Sequence, residues 1–169
     1  MKTLSKSNTN ILILLLIAIL VMSCNQKNTS ISKNNQDINN MNDGVMKFSF
    51  KSEKNKSEKS IKFILTVERL KLIDEEYFPN SEQIRFIIFD NEGNIIRESN
   101  KGMSFMQMIF PVQPLEINGV YDYEIIWDGL DNDGNLVRNG KYKVELILPA
   151  KPKIYNYSVE IEWRNDDWR

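Results

Sequence analysis

Histidine does not occur anywhere in the 169 residues. Its absence removes the commonest general base, the usual activator of a nucleophile and the commonest zinc ligand. Cysteine occurs once, at Cys24, so no disulfide can form within the chain. An excess of one charge is lacking too: 22 Lys and Arg offset 23 Asp and Glu, for a formal net charge of −1. Overall charge would therefore draw the chain neither to nucleic acid nor to an anionic membrane. A catalyst built from this inventory would need a carboxylate pair or a serine–lysine dyad, and no recognisable constellation of either is present. The domain must stand on its hydrophobic core, for which 41 % apolar residues is an ordinary supply.

Long apolar runs are confined to the start. Lys2 and Lys6 precede "ILILLLIAILVM", Ile11 to Met22. About a dozen residues is short for a bilayer span but suits the core of a signal peptide. The run ends in "LVMSC", which resembles the lipobox of bacterial lipoproteins and explains the only cysteine. The resemblance implies cleavage after residue 23, lipidation (palmitate or a similar acyl chain) of Cys24 and an extracytoplasmic, membrane-anchored protein. Two or more acyl chains would hold it stably. Residues 24–44 carry the polar, asparagine-rich "NQKNTSISKNNQDINNMNDG", expected to be a disordered, flexible linker with a reach of roughly 25 Å. Residues 45–169 have the size of one domain.

That domain alternates. "IKFILTV" places Ile61, Phe63, Leu65 and Val67 on one face, and "VYDYEIIW" does so with Tyr121, Tyr123, Ile125 and Trp127. "KYKVELIL" aligns Tyr142, Val144, Leu146 and Leu148; "YNYSVEIEW" aligns Tyr155, Tyr157, Val159, Ile161 and Trp163. Period two with one wet face predicts antiparallel strands. "IRFIIFD" is more apolar and predicts a central strand, and "LIDEEYF" is the best place for a short helical turn. The expected fold is all-β, a single antiparallel β-sandwich of about seven to eight strands. Trp127, on the apolar face of its strand, reads as core rather than as a ligand platform.

One phrase is written nearly twice: "DNEGNIIR" from Asp90 and "DNDGNLVR" from Asp131. Gly93 and Gly134 take positive φ cheaply, and Asp90 and Asp131 can bond the turn's own amides. The phrases predict two structural hairpin turns. The other reading is calcium. With Gly134 as sixth residue of an EF-hand loop, however, the first and twelfth ligands fall on Gly129 and Gly140, which cannot serve. Asp128, Asp131 and Asp133 leave a weak cation site open by another geometry. No cofactor or metal is expected.

The stretch "WDGLDNDGNLVRNGKYKVELIL" resembles the terminal hairpin of bacterial Ig-like modules, such as that of the flagellar hook-capping protein. Trp127, Asp128, Gly129, Gly134, Gly140 and Tyr142 carry the likeness. With "YFPNSEQIRFIIFDNEGNIIRESNKGMSFMQ" and "PLEING" upstream, the chain resembles the BsuPI family of intracellular proteinase inhibitors, best over residues 63–148. The resemblance implies an Ig-like sandwich that inhibits a serine protease, subtilisin-like in its target. It sits behind a lipoprotein signal, and the strand 155–163 extends past the family's usual end. Lys101, Gly102 and Met103 are the candidate inhibitory loop, at the start of "KGMSFMQM", which otherwise reads as a strand. "FPVQP", 110–114, is a second, proline-stiffened loop. The alternative is a non-catalytic Ig-like binding or scaffold module whose partner is another envelope protein.

Overall fold

The computed structural model describes residues 41–165. The signal segment 1–23, Cys24 and most of the linker lie outside them. Ten strand segments follow one another: β1 (Met41–Asn42), β2 (Met46–Asn55), β3 (Ser60–Arg69), β4 (Tyr77–Phe78), β5 (Arg85–Phe89), β6 (Ile95–Glu98), β7 (Phe110–Pro111), β8 (Val120–Trp127), β9 (Gly140–Leu148) and β10 (Tyr155–Trp163). Among the described residues there is no α-helix. One sheet has the order β1-β2-β3-β8, the other β10-β9-β5-β6, and β4 pairs with β7. All the pairings are antiparallel. The fold is an all-β sandwich.

The alternating residues identify the inner faces. Ile61, Phe63, Leu65 and Val67 of β3 are buried, as are Tyr155, Tyr157, Val159 and Trp163 of β10. The two layers meet through rings: Phe63 sits edge-on to Phe86 at 5.6 Å, and Phe48 lies 5.9 Å from Tyr155. Trp127 is fully buried, 4.6 Å from the Trp163 ring, and its indole N–H donates to the Leu130 carbonyl at 3.0 Å. It is core. Tyr142 donates its hydroxyl to the Arg138 carbonyl at 2.9 Å, a corner tie four residues back along the chain. The apolar β5 lies between β9 and β6, the central position its composition predicts.

The doubled phrase folds twice into the same turn. Asp90 Oδ1 accepts the amides of Glu92 (2.9 Å) and Asn94 (2.8 Å); Asp131 Oδ1 accepts those of Asp133 (2.9 Å) and Asn135 (2.8 Å). Gly93 and Gly134 have φ of 85° and 83°. Only the first turn closes a hairpin between long strands, β5 and β6. The second lies between β8 and β9, which belong to different sheets, so the hairpin expected there is only the Leu130–Leu136 bridge. That small hairpin docks on the first. The Asn132 amide donates to the Ile96 carbonyl (2.9 Å), the Asn132 side-chain oxygen accepts the Glu98 amide (3.0 Å), and Arg97 donates to the Asp131 carbonyl (2.9 Å). The edge of β6 is thereby covered.

Three further expectations are corrected. "LIDEEYF" holds no helix: Glu75 has φ +57°, Glu76 turns inward to Arg69, and Tyr77 bridges to Lys151. The segment 103–109 is not a strand, because its backbone bonds go to Ser81 and to its own turns rather than to a neighbouring strand. Strand pairing also begins inside the stretch assigned to the linker. Met41 and Asn42 pair with Phe48 and Lys47, Asp43 accepts the Val45 and Met46 amides, and its other oxygen pairs with Lys153 at 2.8 Å.

Candidate functional site

The segment 103–109 presents large apolar side chains to water. Met103, Met106 and Ile109 are 62 %, 63 % and 70 % exposed, and Met108 is also exposed. Single exposed apolar residues are ordinary, but four within seven positions of one loop make an exposed apolar stretch and a candidate contact surface. Phe105 alone turns partly inward.

Both ends of the segment are fixed. At its start Lys101 and Gly102 form the turn that follows β6. The Lys101 amide donates to the Glu98 carbonyl, the Met103 amide to the Asn100 carbonyl, and Gly102 has φ +74°. Lys101 is exposed, so the predicted trio marks the beginning of the presented segment rather than its middle. Midway, the Ser81 amide donates to the Met106 carbonyl and the Ser81 hydroxyl accepts the Met106 amide, both at 3.0 Å.

The far end is held by a buried polar cluster. Arg69, 1 % exposed, donates Nε–H to the Pro114 carbonyl and Nη2–H to the Val112 carbonyl, each at 3.0 Å. Its Nη1 lies 2.6 Å from Glu76 Oε2, an ion pair that lacks the alignment of a hydrogen bond. The other Glu76 oxygen accepts the Tyr155 hydroxyl. Burial, with Glu76 as hydrogen-bond partner, pushes the Tyr155 phenol well above its ordinary value. The Tyr123 hydroxyl donates to the Gln113 carbonyl and accepts the Gln113 amide, both at 2.9 Å, and burial raises its phenol too. Val112 and Pro114 are buried, so the proline-rich 110–114 stretch is a brace and the exposed surface lies before it.

The residues named for the Trp-Asp-Gly hairpin serve structure. Gly129 has φ +74°, and a Cβ there would lie 2.3 Å from the Trp163 ring. Asp128 accepts the Leu130 amide at 3.1 Å and stands 4.0 Å from Arg97. Gly140 opens β9 opposite Trp163. The Asp131 carboxylate is occupied by its turn, whose amides hold it below the usual aspartate range. No group of three metal-ligating side chains occurs among the described residues.

The brace is what sequence reading missed, although a signal for it exists. Arg69 continues the inward parity of Ile61, Phe63, Leu65 and Val67, so it is a charge on the buried face. Such a residue needs a buried partner.

The BsuPI family, described as intracellular proteinase inhibitor, matches residues 46–153, more than half of the chain. The chain belongs to that family. The match covers the sandwich from β2 through β9, including the 103–109 segment and its brace. No curated protein matches the sequence. A BsuPI domain is a proteinase-inhibitor domain, and its general partner is a protease.

Proposed function

We propose that this BsuPI domain inhibits a subtilisin-like serine protease by laying the 103–109 segment in the enzyme's cleft. The observation that carries the reading is an exposed apolar segment pinned at Ser81 and by the Arg69–Tyr123 brace. A segment already held in its bound shape loses little entropy on docking, and a rigid one resists turnover. Clefts of this enzyme class favour a large apolar side chain at the cleaved position, which Met103 or Met106 would supply. The domain acts by binding and not as an enzyme. The "LVMSC" junction supports a lipid anchor at Cys24, which would tether the inhibitor to a bacterial membrane outside the cytoplasm, against envelope proteases.

The test is a titration of the full chain, in detergent, against a panel of subtilisin-like proteases, with gels to see whether the chain is cut. Inhibition by an intact chain is expected. A standard contact of roughly 1,600 Å² permits anything from micromolar to picomolar affinity. Met103→Asp or Met106→Asp should weaken inhibition at least about tenfold, since a carboxylate would lose its water in an apolar subsite. Digestion of the chain, or no effect on any protease, would sink the proposal and favour a non-catalytic binding module of the envelope.

A further inference from the structure

The open edge of β8 carries a second site, which shares Met103, Phe105 and Ser81 with the 103–109 segment and its tie but does not rest on the inhibitory reading. β8 pairs only with β3 in its sheet. The Arg69 amide donates to the Gly119 carbonyl at 3.0 Å, and the register runs on from there to Ile61 opposite Trp127. That phase turns the backbone groups of Tyr121, Tyr123 and Ile125 toward β3. Those of Val120, Asp122, Glu124 and Ile126 point away. Among the described residues no backbone group takes them up. An open edge of this length is a template for an added strand.

Beside that edge runs a groove, in two adjoining stretches of about 320 Å³ and about 520 Å³. Ile84, Phe105 and Ile125 line both stretches, and so does Glu82. Glu82 is only 7 % exposed. One of its oxygens is 3.6 Å from Arg85 Nη1; the other, Oε1, is buried without a hydrogen-bond donor. A buried carboxylate oxygen is costly to leave unpaired, and a ligand that brings a cation there relieves that cost. Asp122 and Asp128 add negative charge along the rim, while Glu124 there is paired with Lys62 at 3.1 Å. The cation in the lining, Arg97, is engaged through Nη1 by the Asp131 carbonyl and stands 4.0 Å from Asp128 through Nη2, while its Nε is buried without an acceptor.

We propose that this groove takes an extended, basic peptide segment of a partner protein, which adds to β8 as a strand and places a lysine or arginine on Glu82. Strand addition supplies affinity through main-chain bonds, and the pocket supplies the choice of side chain. A second copy of the chain fits less well, because pairing β8 with β8 would bring the Asp122 and Glu124 carboxylates of both copies together.

The probe is a fluorescein-labelled peptide, Thr-Val-Thr-Lys-Thr-Val-Thr, whose lysine and valines share one face, titrated by anisotropy with the full chain in detergent. Saturable binding is expected. Replacing the lysine by norleucine should weaken it at least about tenfold. Glu82→Gln should weaken the lysine peptide as much, while the norleucine peptide should bind both proteins alike. N-methylation at alternate residues should abolish binding in one parity and spare it in the other. Melting temperatures check that Glu82→Gln is folded. No binding, equal binding of the lysine and norleucine peptides, or equal effects of both methylation patterns would overturn the proposal. So would a peptide-free dimer lost when β8 is altered, which would assign the edge to a second copy.

Discussion

Replacing Arg69 by methionine tests the brace where it is most exposed to error. The substitution keeps an unbranched side chain of similar length and deletes the charge. It leaves the Glu76 carboxylate buried with only the Tyr155 hydroxyl, and strips the Val112 and Pro114 carbonyls of their donors. Breaking a buried pair by removing one partner costs about 3–5 kcal/mol, because the remaining charge is stranded. For a domain of this size that is a fall in Tm of roughly 10–20 °C, and a large part of a stability of about 5–15 kcal/mol. Calorimetry on the purified protein reads it directly. The Arg69→Met, Glu76→Leu double variant should recover much of the loss, since no charge is then left unpaired. Inhibition should not recover with it, because 112–114 still lack their anchor. A single variant that melts within about 3 °C of wild type would refute the reasoning, as would a double variant no more stable than the single one.

Other perturbations have distinct signatures. Gly129→Ala should destabilise by about 2–4 kcal/mol, from the collision with Trp163 and the positive φ together, whereas Gly93→Val and Gly134→Val, with open space around them, should cost only about 1–2 kcal/mol in urea unfolding. Trp127→Ala should cost about 3–5 kcal/mol; a melting temperature within a degree or two of wild type would place the ring outside the core. The Asp90 and Asp131 carboxyls sit below their ordinary range because Asn94 and Asn135, with other turn amides, bind the charged form. Their stabilisation is therefore complete above about pH 4 and lost as pH falls through the lowered folded values. The Asp90→Ala, Asp131→Ala protein should show a flatter fall of Tm between pH 5 and pH 2. Tyr123→Phe should cost about 1–2 kcal/mol and weaken inhibition by loosening Gln113, and an inhibition curve identical to wild type would show that the brace is irrelevant to docking.

Alternation made most of the sandwich legible. It reports which face of a strand is buried, and every inner residue expected of β3 and β9 is buried. It does not report which strand lies alongside, so β8 and β9, adjacent in sequence and similar in pattern, could be taken for a hairpin although they fall in opposite sheets. The 103–109 segment misled for a related reason. Met103, Phe105 and their neighbours are apolar enough for a strand, but a strand also needs a pairing edge, which periodicity cannot reveal. Arg69 and Glu76 are close in sequence, but Tyr155 and the Val112 and Pro114 carbonyls come from distant parts of the chain, and only the fold brings them together.

The placement of that cluster bears on why it is polar. A buried ion pair is weak evidence for stability, since apolar residues of similar volume often serve as well or better. What apolar residues cannot do is grip a backbone that belongs to no strand. Val112 and Pro114 lie just beyond the two-residue β7, and their carbonyls would be buried without partners if no side chain reached them. A guanidinium answers two carbonyls and a carboxylate from one position, through a fork that lysine does not possess. Glu76, immediately before β4, is tied by the same group, so Arg69 joins the flanks of both strands of the small β4–β7 pair. The exposed Met106 and Met108 hang between that pair and Ser81. The charge thus sits where irregular backbone must be held still, as the proposed presentation of an uncut segment to a protease would require.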